Sequence, residues 1–114
     1  MGTQMSDQIA SRLEFAKDTA RKAGELGMTY FADIGDLVIQ QKGAQDLVSN
    51  ADTDVELFVR ATIAEHFPDD GIIGEEHASV DGTSGYTWVI DPIDGTANFV
   101  SGIPAWCVIL ACVH

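Results

Sequence analysis

The chain has 114 residues, of which 46% are hydrophobic and 21% charged, so it can build one domain with a core and is too apolar to be disordered. Eighteen acidic residues against six lysines and arginines give a formal net charge of −12, and all six basic residues lie in the first 60 positions. This charge excludes the basic surface that nucleic acids and anionic membranes require, and an anionic substrate would need a positive mediator such as a metal ion.

The first predicted element is a helix over residues 7–33, with Ser6 as its N-cap. Its apolar residues recur at spacings of three and four, which places them on one face. Gly24 and Gly27 weaken the last turns but allow close packing. A second methionine, Met5, indicates that residues 1–4 precede an alternative start or that residues 1–5 are a cloning remnant. The apolar face comprises Ile9, Leu13, Ala16, Ala20 and Ala23.

A hairpin and a second helix follow. Short β-rich runs at residues 37–39 and 47–48 flank a polar turn and predict the hairpin. Residues 53–66 return to helical spacing, and Thr53 with Glu56 matches a capping box for that helix.

The last third of the chain predicts three short strands and one short helix. The strands are residues 72–73, 86–90 and 105–113, and the helix is residues 95–100. We expect the last strand to be buried. Trp88 and Trp106 are expected to pack in the core or at a subunit contact. Because the chain stops within the last strand, we expect 1–114 to be one partial domain.

Two cysteines, Cys107 and Cys112, lie in the last apolar run. Their odd separation puts them on opposite faces of a strand, so they should be buried, reduced thiols rather than a disulfide. No secretory leader pattern is present, and the run is too short to span a bilayer. These features favour a cytoplasmic location.

The chemistry of the chain is concentrated where two predicted strands end. Gly74-Glu75-Glu76 follows the first, and residues 91–96 (Asp-Pro-Ile-Asp-Gly-Thr) follow the second. If the strands lie side by side, Glu75 reaches Asp91 and Asp94. All-oxygen ligands favour Mg²⁺, Mn²⁺ or Ca²⁺. The alternative is that residues 91–94 are only an Asp-Pro turn with a helix cap.

The turn also predicts a phosphate site. Pro92 lacks an N–H and should hold the chain out of the strand ladder, so that the two aspartates converge. Gly95 permits a tight backbone, and Thr96 starts a helix whose free N–H groups favour phosphate. The spacing excludes the haloacid-dehalogenase motif Asp-x-Asp-x-Thr, because two residues separate the acids here instead of one.

These motifs together resemble the inositol monophosphatase family of Mg²⁺-dependent, Li⁺-sensitive sugar phosphatases. The resemblance rests on Gly74-Glu75-Glu76, residues 88–99, Lys42 and residues 46–52, and it extends over nearly the whole chain from the first helix. It implies an α+β fold, the N-terminal part of a layered αβαβα architecture with a mixed or antiparallel sheet and two packed helices. It also implies a homodimer.

The resemblance implies a role for each matching residue. Two to three Mg²⁺ ions, with Mn²⁺ as a substitute, would be held by Glu75, Asp91, the Ile93 carbonyl and Asp94. Gly95 and Thr96 would bind the substrate phosphate. Thr96 and Asp52 would orient and deprotonate the attacking water, with Lys42 at the edge of the site.

Two of these residues also have a purely structural alternative. Asp52 could be a helix-start charge, and Lys42 a solvated hairpin lysine. Glu76 is expected outside the ligand set, and His66 and His77 are expected to be ordinary surface residues.

The function implied is Mg²⁺-dependent hydrolysis of a small phosphorylated polyol, most simply myo-inositol 1-phosphate. Histidinol phosphate and fructose 1,6-bisphosphate remain alternatives within the family. The family's later Trp-Asp-x-Ala-Ala-Gly-type segment, which completes the second metal position, is not in this sequence, and no aspartate follows Asp94. A non-catalytic metal-binding or dimerisation module is therefore the rival hypothesis.

Overall fold

The computed structural model describes the backbone of residues 2–43 and 46–114, and the side chains of residues 6–40 and 49–114. Its first element is a helix, α1 (Gly2–Ala32), followed by one 3₁₀ turn (Ile34–Asp36). The helix begins before the predicted N-cap Ser6, because nothing in the preceding residues interrupts it. Helices in the described residues lack an apolar stretch that could cross a bilayer.

The predicted hairpin and second helix are present. Strands β1 (Ile39–Gly43) and β2 (Asp46–Ser49) pair antiparallel, and their connecting residues 44–45 lie outside the described part. Helix α2 (Asn50–His66) begins directly after β2, three residues earlier than the sequence predicts. Its capping box is formed by Ser49 and Asp52, so the predicted box of Thr53 and Glu56 is wrong.

The remaining strands form a mixed three-stranded sheet in the order β3-β4-β5. Strand β3 (Gly71–Gly74) runs parallel to β4 (Thr87–Asp94), and β4 runs antiparallel to β5 (Cys107–Val113). A short helix, α3 (Thr96–Val100), connects β4 to β5. The predicted α+β class with a mixed sheet and packed helices is therefore confirmed.

The core is built around α1, α2 and the sheet. Trp88 of β4 is fully buried, as expected, and the face of α1 that packs against the sheet is centred on Ala23. Leu13 of the predicted apolar stripe is instead 53% exposed. The buried residues of this cluster are Ala23, Val55, Val59, Ile63, Ile72, Trp88 and Ile90.

A second, smaller cluster lies beneath the motif at residues 91–96. Ile93 and Phe99 are buried on either side of the turn and pack against Ala51 at the start of α2. Trp106 contacts this cluster through edge-to-face packing on Phe99. The apolar residues within the motif thus fix its backbone against α2.

Strand β5 differs from its prediction. Ile109 and Val113 are 45% and 56% exposed, and both Cys107 and Cys112 are exposed free thiols. In the described part of the chain β5 pairs with β4 alone and is an edge strand. The expectation of buried cysteines was wrong, because the described part of the chain leaves the faces of β5 largely uncovered.

Candidate functional site

The two acidic motifs meet at one edge of the sheet. In the parallel register Ile72 pairs with Trp88, and Gly74 pairs with Ile90. Glu75 and Asp91 therefore follow directly after paired residues. This adjacency is what the sequence interpretation required of the two strands.

Pro92 interrupts the β4–β5 ladder without ending the strand. Asp91 pairs with Ile109 and Asp94 pairs with Cys107, with a register irregularity between them. A proline donates no hydrogen bond, so it is accommodated at such an irregularity. The predicted break at Pro92 is thus local: β4 continues through it, and its pairing with β5 resumes at Asp94.

Asp91 and Asp94 are close neighbours with unfavourable electrostatics. Burial raises the pKa of Asp91, and the negative charges of Asp94, Asp52 and Glu76 raise it further, as does a hydrogen bond shared with Asp94. Two carboxylates can share such a bond only when one is protonated. A bound cation would remove the same repulsion without a proton.

One carboxylate oxygen of Asp91 is not hydrogen-bonded within the described residues. This atom, Oδ1, is buried and has no hydrogen-bond partner among the residues that the structure describes. Buried carboxylate oxygens are normally paired with donors or metal ions. The oxygen-only donor set of Asp91, Asp94 and the Ile93 carbonyl fits a hard divalent cation.

Glu75 is not grouped with Asp91 and Asp94 as closely as these two aspartates are with each other. Its side chain is exposed, and the described residues contain no cluster of three or more His, Cys, Asp or Glu side chains close enough to hold a metal ion. The structure therefore brings Asp91 and Asp94 together, while Glu75 stands on the neighbouring strand end. Its assignment as a ligand stays a prediction.

Thr96 is held in place by two acceptors. Its hydroxyl lies 2.9 Å from Oδ1 of Asp52 and 3.1 Å from the carbonyl oxygen of Ile93. The Oδ2 atom of Asp52 accepts the backbone N–H of Ser49 at 2.9 Å and the Ser49 hydroxyl at 2.6 Å. Asp52 thus serves both as a helix-start acid and as the partner of Thr96.

Gly95 is required by the shape of the turn. Its φ of 94° lies in the left-handed region, and a Cβ atom there would stand 2.8 Å from the carbonyl oxygen of Ala105. Both facts exclude a larger residue. The use of the Gly95 and Thr96 amides for phosphate stays a prediction, as does any role for Lys42, whose side chain lies outside the described residues.

Sequence reasoning missed the part played by Glu56. This residue is fully buried in α2, and its carboxylate accepts the backbone N–H of Glu76 at 3.0 Å. It also contacts Nδ1 of His77 at 2.6 Å and accepts from Nε of Arg60 at 3.1 Å. The sequence did contain a signal for this role. Glu56 lies on the apolar side of the predicted helix, and an acid in that position needs hydrogen-bonding partners inside the protein.

His77 and His66 have different surroundings. His77 was expected to be an ordinary surface residue, but it is half-buried against Glu56. His66 is exposed in the last turn of α2, as expected.

The comparisons with known proteins agree with this geometry. A sequence profile of the inositol monophosphatase family matches residues 8–114. The chain belongs to the inositol monophosphatase family.

Two relatives illustrate the range of names within the family. The chain is 39% identical over 99 residues to a histidinol-phosphatase of Chlorobaculum parvum, covering 87% of this chain and 38% of the relative. It is 38% identical over 95 residues to an inositol-1-monophosphatase of Caulobacter vibrioides, covering 82% of this chain and 37% of that relative. The chain thus spans well under half the length of these relatives. Family members are phosphatases, and their named substrates differ.

Solved structures of the family have the same fold. The extragenic suppressor protein suhB of Bartonella henselae superposes with a TM-score of 0.86 at 30% identity, over 90% of this chain and 40% of that one. An IMPase/NADP phosphatase in complex with NADP and Ca²⁺ superposes with a TM-score of 0.67 at 26% identity, over 98% of this chain and 40% of that one. The described elements therefore correspond to part of the inositol monophosphatase fold.

Proposed function

We propose that this chain is the N-terminal, cation-binding part of a phosphomonoesterase that hydrolyses a small phosphorylated polyol in the presence of Mg²⁺. The observation that carries the proposal is Oδ1 of Asp91, which is buried beside the carboxyl group of Asp94 and finds no hydrogen-bond partner within the described part of the chain. This pair lies in the same turn as the Thr96 hydroxyl and its acceptor Asp52.

The residues that would hold cations are Asp91, Asp94, the carbonyl of Ile93 and, from the adjacent strand end, Glu75. A divalent cation held there would offset the charge of the carboxylates and would supply the Lewis acidity that makes water a nucleophile near neutral pH. The relative that binds NADP and Ca²⁺ supports a hard cation in this fold. Mn²⁺ is the expected substitute because it prefers the same oxygen ligands.

Thr96 and Asp52 would handle the proton of the attacking water. The Thr96 hydroxyl donates a hydrogen bond to Oδ1 of Asp52, so Oγ1 would take a proton from the attacking water while it passes its own proton to the Asp52 carboxylate. The left-handed Gly95 directs the chain into α3, so that the amides of Gly95 and Thr96 would face the phosphate. No covalent enzyme intermediate is required.

The substrate is proposed as myo-inositol 1-phosphate. The relative named inositol-1-monophosphatase supports this choice, and the histidinol-phosphatase supports histidinol phosphate as the second candidate. Fructose 1,6-bisphosphate is a third. The cytoplasmic location and the homodimer stay predictions.

A non-catalytic cation-binding or dimerisation role is the rival. The exposed apolar residues of edge strand β5, with Ile109 at 45% and Val113 at 56% exposure, favour it. In this alternative the acidic turn binds a cation, but the strand serves association rather than catalysis.

Phosphate release from the purified chain distinguishes the two functions. The three candidate substrates are each incubated with the chain and Mg²⁺, beside Asp91→Asn and the control Asp81→Asn, which removes an exposed loop charge. Mg²⁺-dependent release that is lost only in Asp91→Asn supports the phosphatase. Cation binding without turnover by the wild-type chain would overturn activity of this polypeptide and support the rival.

A further inference from the structure

Glu56 is the most deeply buried acid among the residues whose side chains the structure describes. Its residue exposure is 0%, and its carboxylate faces residues 74–78, the glutamate loop that follows β3. Oε1 accepts the backbone N–H of Glu76 at 3.0 Å, and Oε2 contacts Nδ1 of His77 at 2.6 Å. A buried carboxylate that makes these contacts organises a segment rather than merely filling space.

Arg60 completes the arrangement one turn later in α2. Its Nε donates to Oε2 of Glu56 at 3.1 Å, while its two terminal nitrogens donate to the carbonyl oxygens of Ala78 at 2.8 Å and His77 at 2.9 Å. Glu56 therefore binds a donor of the glutamate loop, and Arg60 binds acceptors of the same loop. Together the two side chains hold the backbone of the glutamate loop through both its N–H and its C=O groups.

Gly74 shows how close this contact is. A Cβ atom at position 74 would stand 2.5–2.8 Å from the carboxylate atoms of Glu56, which is closer than real Cβ contacts. The absence of a side chain at the end of β3 thus allows Glu56 to approach the loop. Burial raises the pKa of Glu56, but the bonds from Glu76, His77 and Arg60 outweigh burial and lower it overall, so the carboxylate is charged.

We propose that Glu56, together with Arg60, is a positioning residue that sets the glutamate loop and thereby places Glu75 relative to Asp91 for cation binding. This inference rests on the proposed function, since it assigns Glu75 to the cation site. In this proposal Glu56 is not itself a ligand of the cation or the substrate.

The decisive variant is Glu56→Gln, which keeps the shape of the side chain. An amide has one acceptor oxygen, so it cannot accept from Glu76 on one side and from His77 and Arg60 on the other. Without added metal, we expect amide exchange in residues 74–78 to accelerate by about tenfold or more relative to α1 and β4. Mn²⁺ affinity, measured by calorimetry, should fall about 10–100-fold.

Two further variants keep the test interpretable. Glu65→Gln removes the same charge from an exposed position of α2 and should change neither measurement. Arg60→Gln preserves the Glu56 carboxylate and should loosen residues 77–78 more than Glu76. If Glu56→Gln does not fold, Arg60→Gln decides whether α2 sets the loop.

Several outcomes would overturn the proposal. Unchanged exchange in residues 74–78, or equal acceleration throughout the chain, would show that Glu56 has no local role. A loosened loop with unchanged Mn²⁺ affinity would make Glu56 a structural residue only. If the wild-type chain binds no Mn²⁺, the proposed function fails for this chain, whereas a local exchange effect would still support Glu56 as the residue that sets the loop.

Discussion

The hydroxyl of Thr96 lies 2.9 Å from Oδ1 of Asp52, although 44 positions separate the two residues. Oδ2 of the same carboxylate accepts two hydrogen bonds from Ser49 at the start of α2. Asp52 therefore connects the end of the hairpin, the first turn of α2 and the turn that leads into α3. A change at Thr96 should affect both stability and the chemistry proposed for that turn.

We expect Thr96→Val to lower the free energy of unfolding by about 1–3 kcal/mol, because Asp52 loses a donor in a buried setting. Urea unfolding followed by circular dichroism measures this change. Phosphate release should fall by about a hundredfold or more if Thr96 transfers a proton. Thr96→Ser retains the hydroxyl and should keep most of both properties, so equal losses in the two variants would contradict the role of the hydroxyl.

The relation between β3 and β4 follows from the sequence only as a condition: Glu75 reaches the aspartates if the two strands lie side by side. Each apolar run ends at an acidic motif, and a shared cation site requires those ends to be adjacent. The parallel pairing of Gly74 with Ile90 meets that condition. The distance of Glu75 from the aspartates could not be predicted, because it depends on a loop that is fixed by contacts with α2.

The start of α2 shows where local pattern fails. Ser49 with Asp52 and Thr53 with Glu56 are both acceptable capping pairs three residues apart. Tertiary contacts decide between them: the carboxylate of Glu56 is bound by Glu76 and His77 and is therefore unavailable as a cap. In the same way, an apolar run cannot reveal whether both faces of a strand are covered, so the burial of β5 was predicted wrongly.

Asp91 should make the metal-free chain less stable as the pH rises. Its pKa is raised in the folded chain by burial and by neighbouring acids, so the folded state holds the proton more tightly than the unfolded state. Stability is then lost as the pH rises from the unfolded pKa of about 3.9 through the raised folded pKa. Asp91→Asn should remove this loss and be more stable than the wild type at pH 7 without metal.

Adding Mg²⁺ should reverse that order. The wild-type chain gains stability from a ligand that binds the folded state, whereas Asp91→Asn lacks the charge that holds it. Thermal unfolding with and without Mg²⁺ measures both effects, and Asp81→Asn is the control for charge removal at an exposed site. A wild-type chain that Mg²⁺ fails to stabilise, or an Asp91→Asn variant that is less stable without metal, would contradict this account of the site.

The Arg12–Asp70 pair should be a major contributor to the attachment of α1. Arg12 and Asp70 are 8% and 3% exposed, and two 2.8 Å hydrogen bonds join them. The guanidinium also lies over the rings of Phe67 and Tyr86. We expect Arg12→Met to lower the free energy of unfolding by about 3–5 kcal/mol, because it removes the cationic partner of the buried Asp70 carboxylate.

The same pair predicts a shift in acid unfolding. Burial raises the pKa of Asp70, but hydrogen bonds from Arg12, Ser84 and Trp88 outweigh burial and lower it overall. Its contribution is therefore complete above the unfolded pKa and is lost as the pH falls through the lowered folded pKa. Arg12→Met should move the acid-unfolding midpoint to higher pH. Lys17→Met, which breaks an exposed pair with Glu14, should move neither the midpoint nor the stability by much.

The two glycines near the end of α1 should respond oppositely to alanine. A Cβ atom at Gly24 would meet nothing within 4 Å, whereas one at Gly27 would stand 3.0 Å from the ring of Trp106. Gly24→Ala should stabilise the chain by up to ~1 kcal/mol through the better helix propensity of alanine. Gly27→Ala should destabilise it, because the ring of Trp106 must move in a packed cluster at a cost of about 1–3 kcal/mol.

Changing Trp106 separates the steric effect from helix propensity. In a Trp106→Leu background the ring is removed, so Gly27→Ala should become stabilising by nearly the same amount as Gly24→Ala. Each glycine forms its own double-mutant cycle with Trp106 from four free energies of unfolding, and the coupling term should be large for Gly27 and near zero for Gly24. Equal coupling at the two positions would show that the close contact between Gly27 and Trp106 does not determine the stability with which α1 packs.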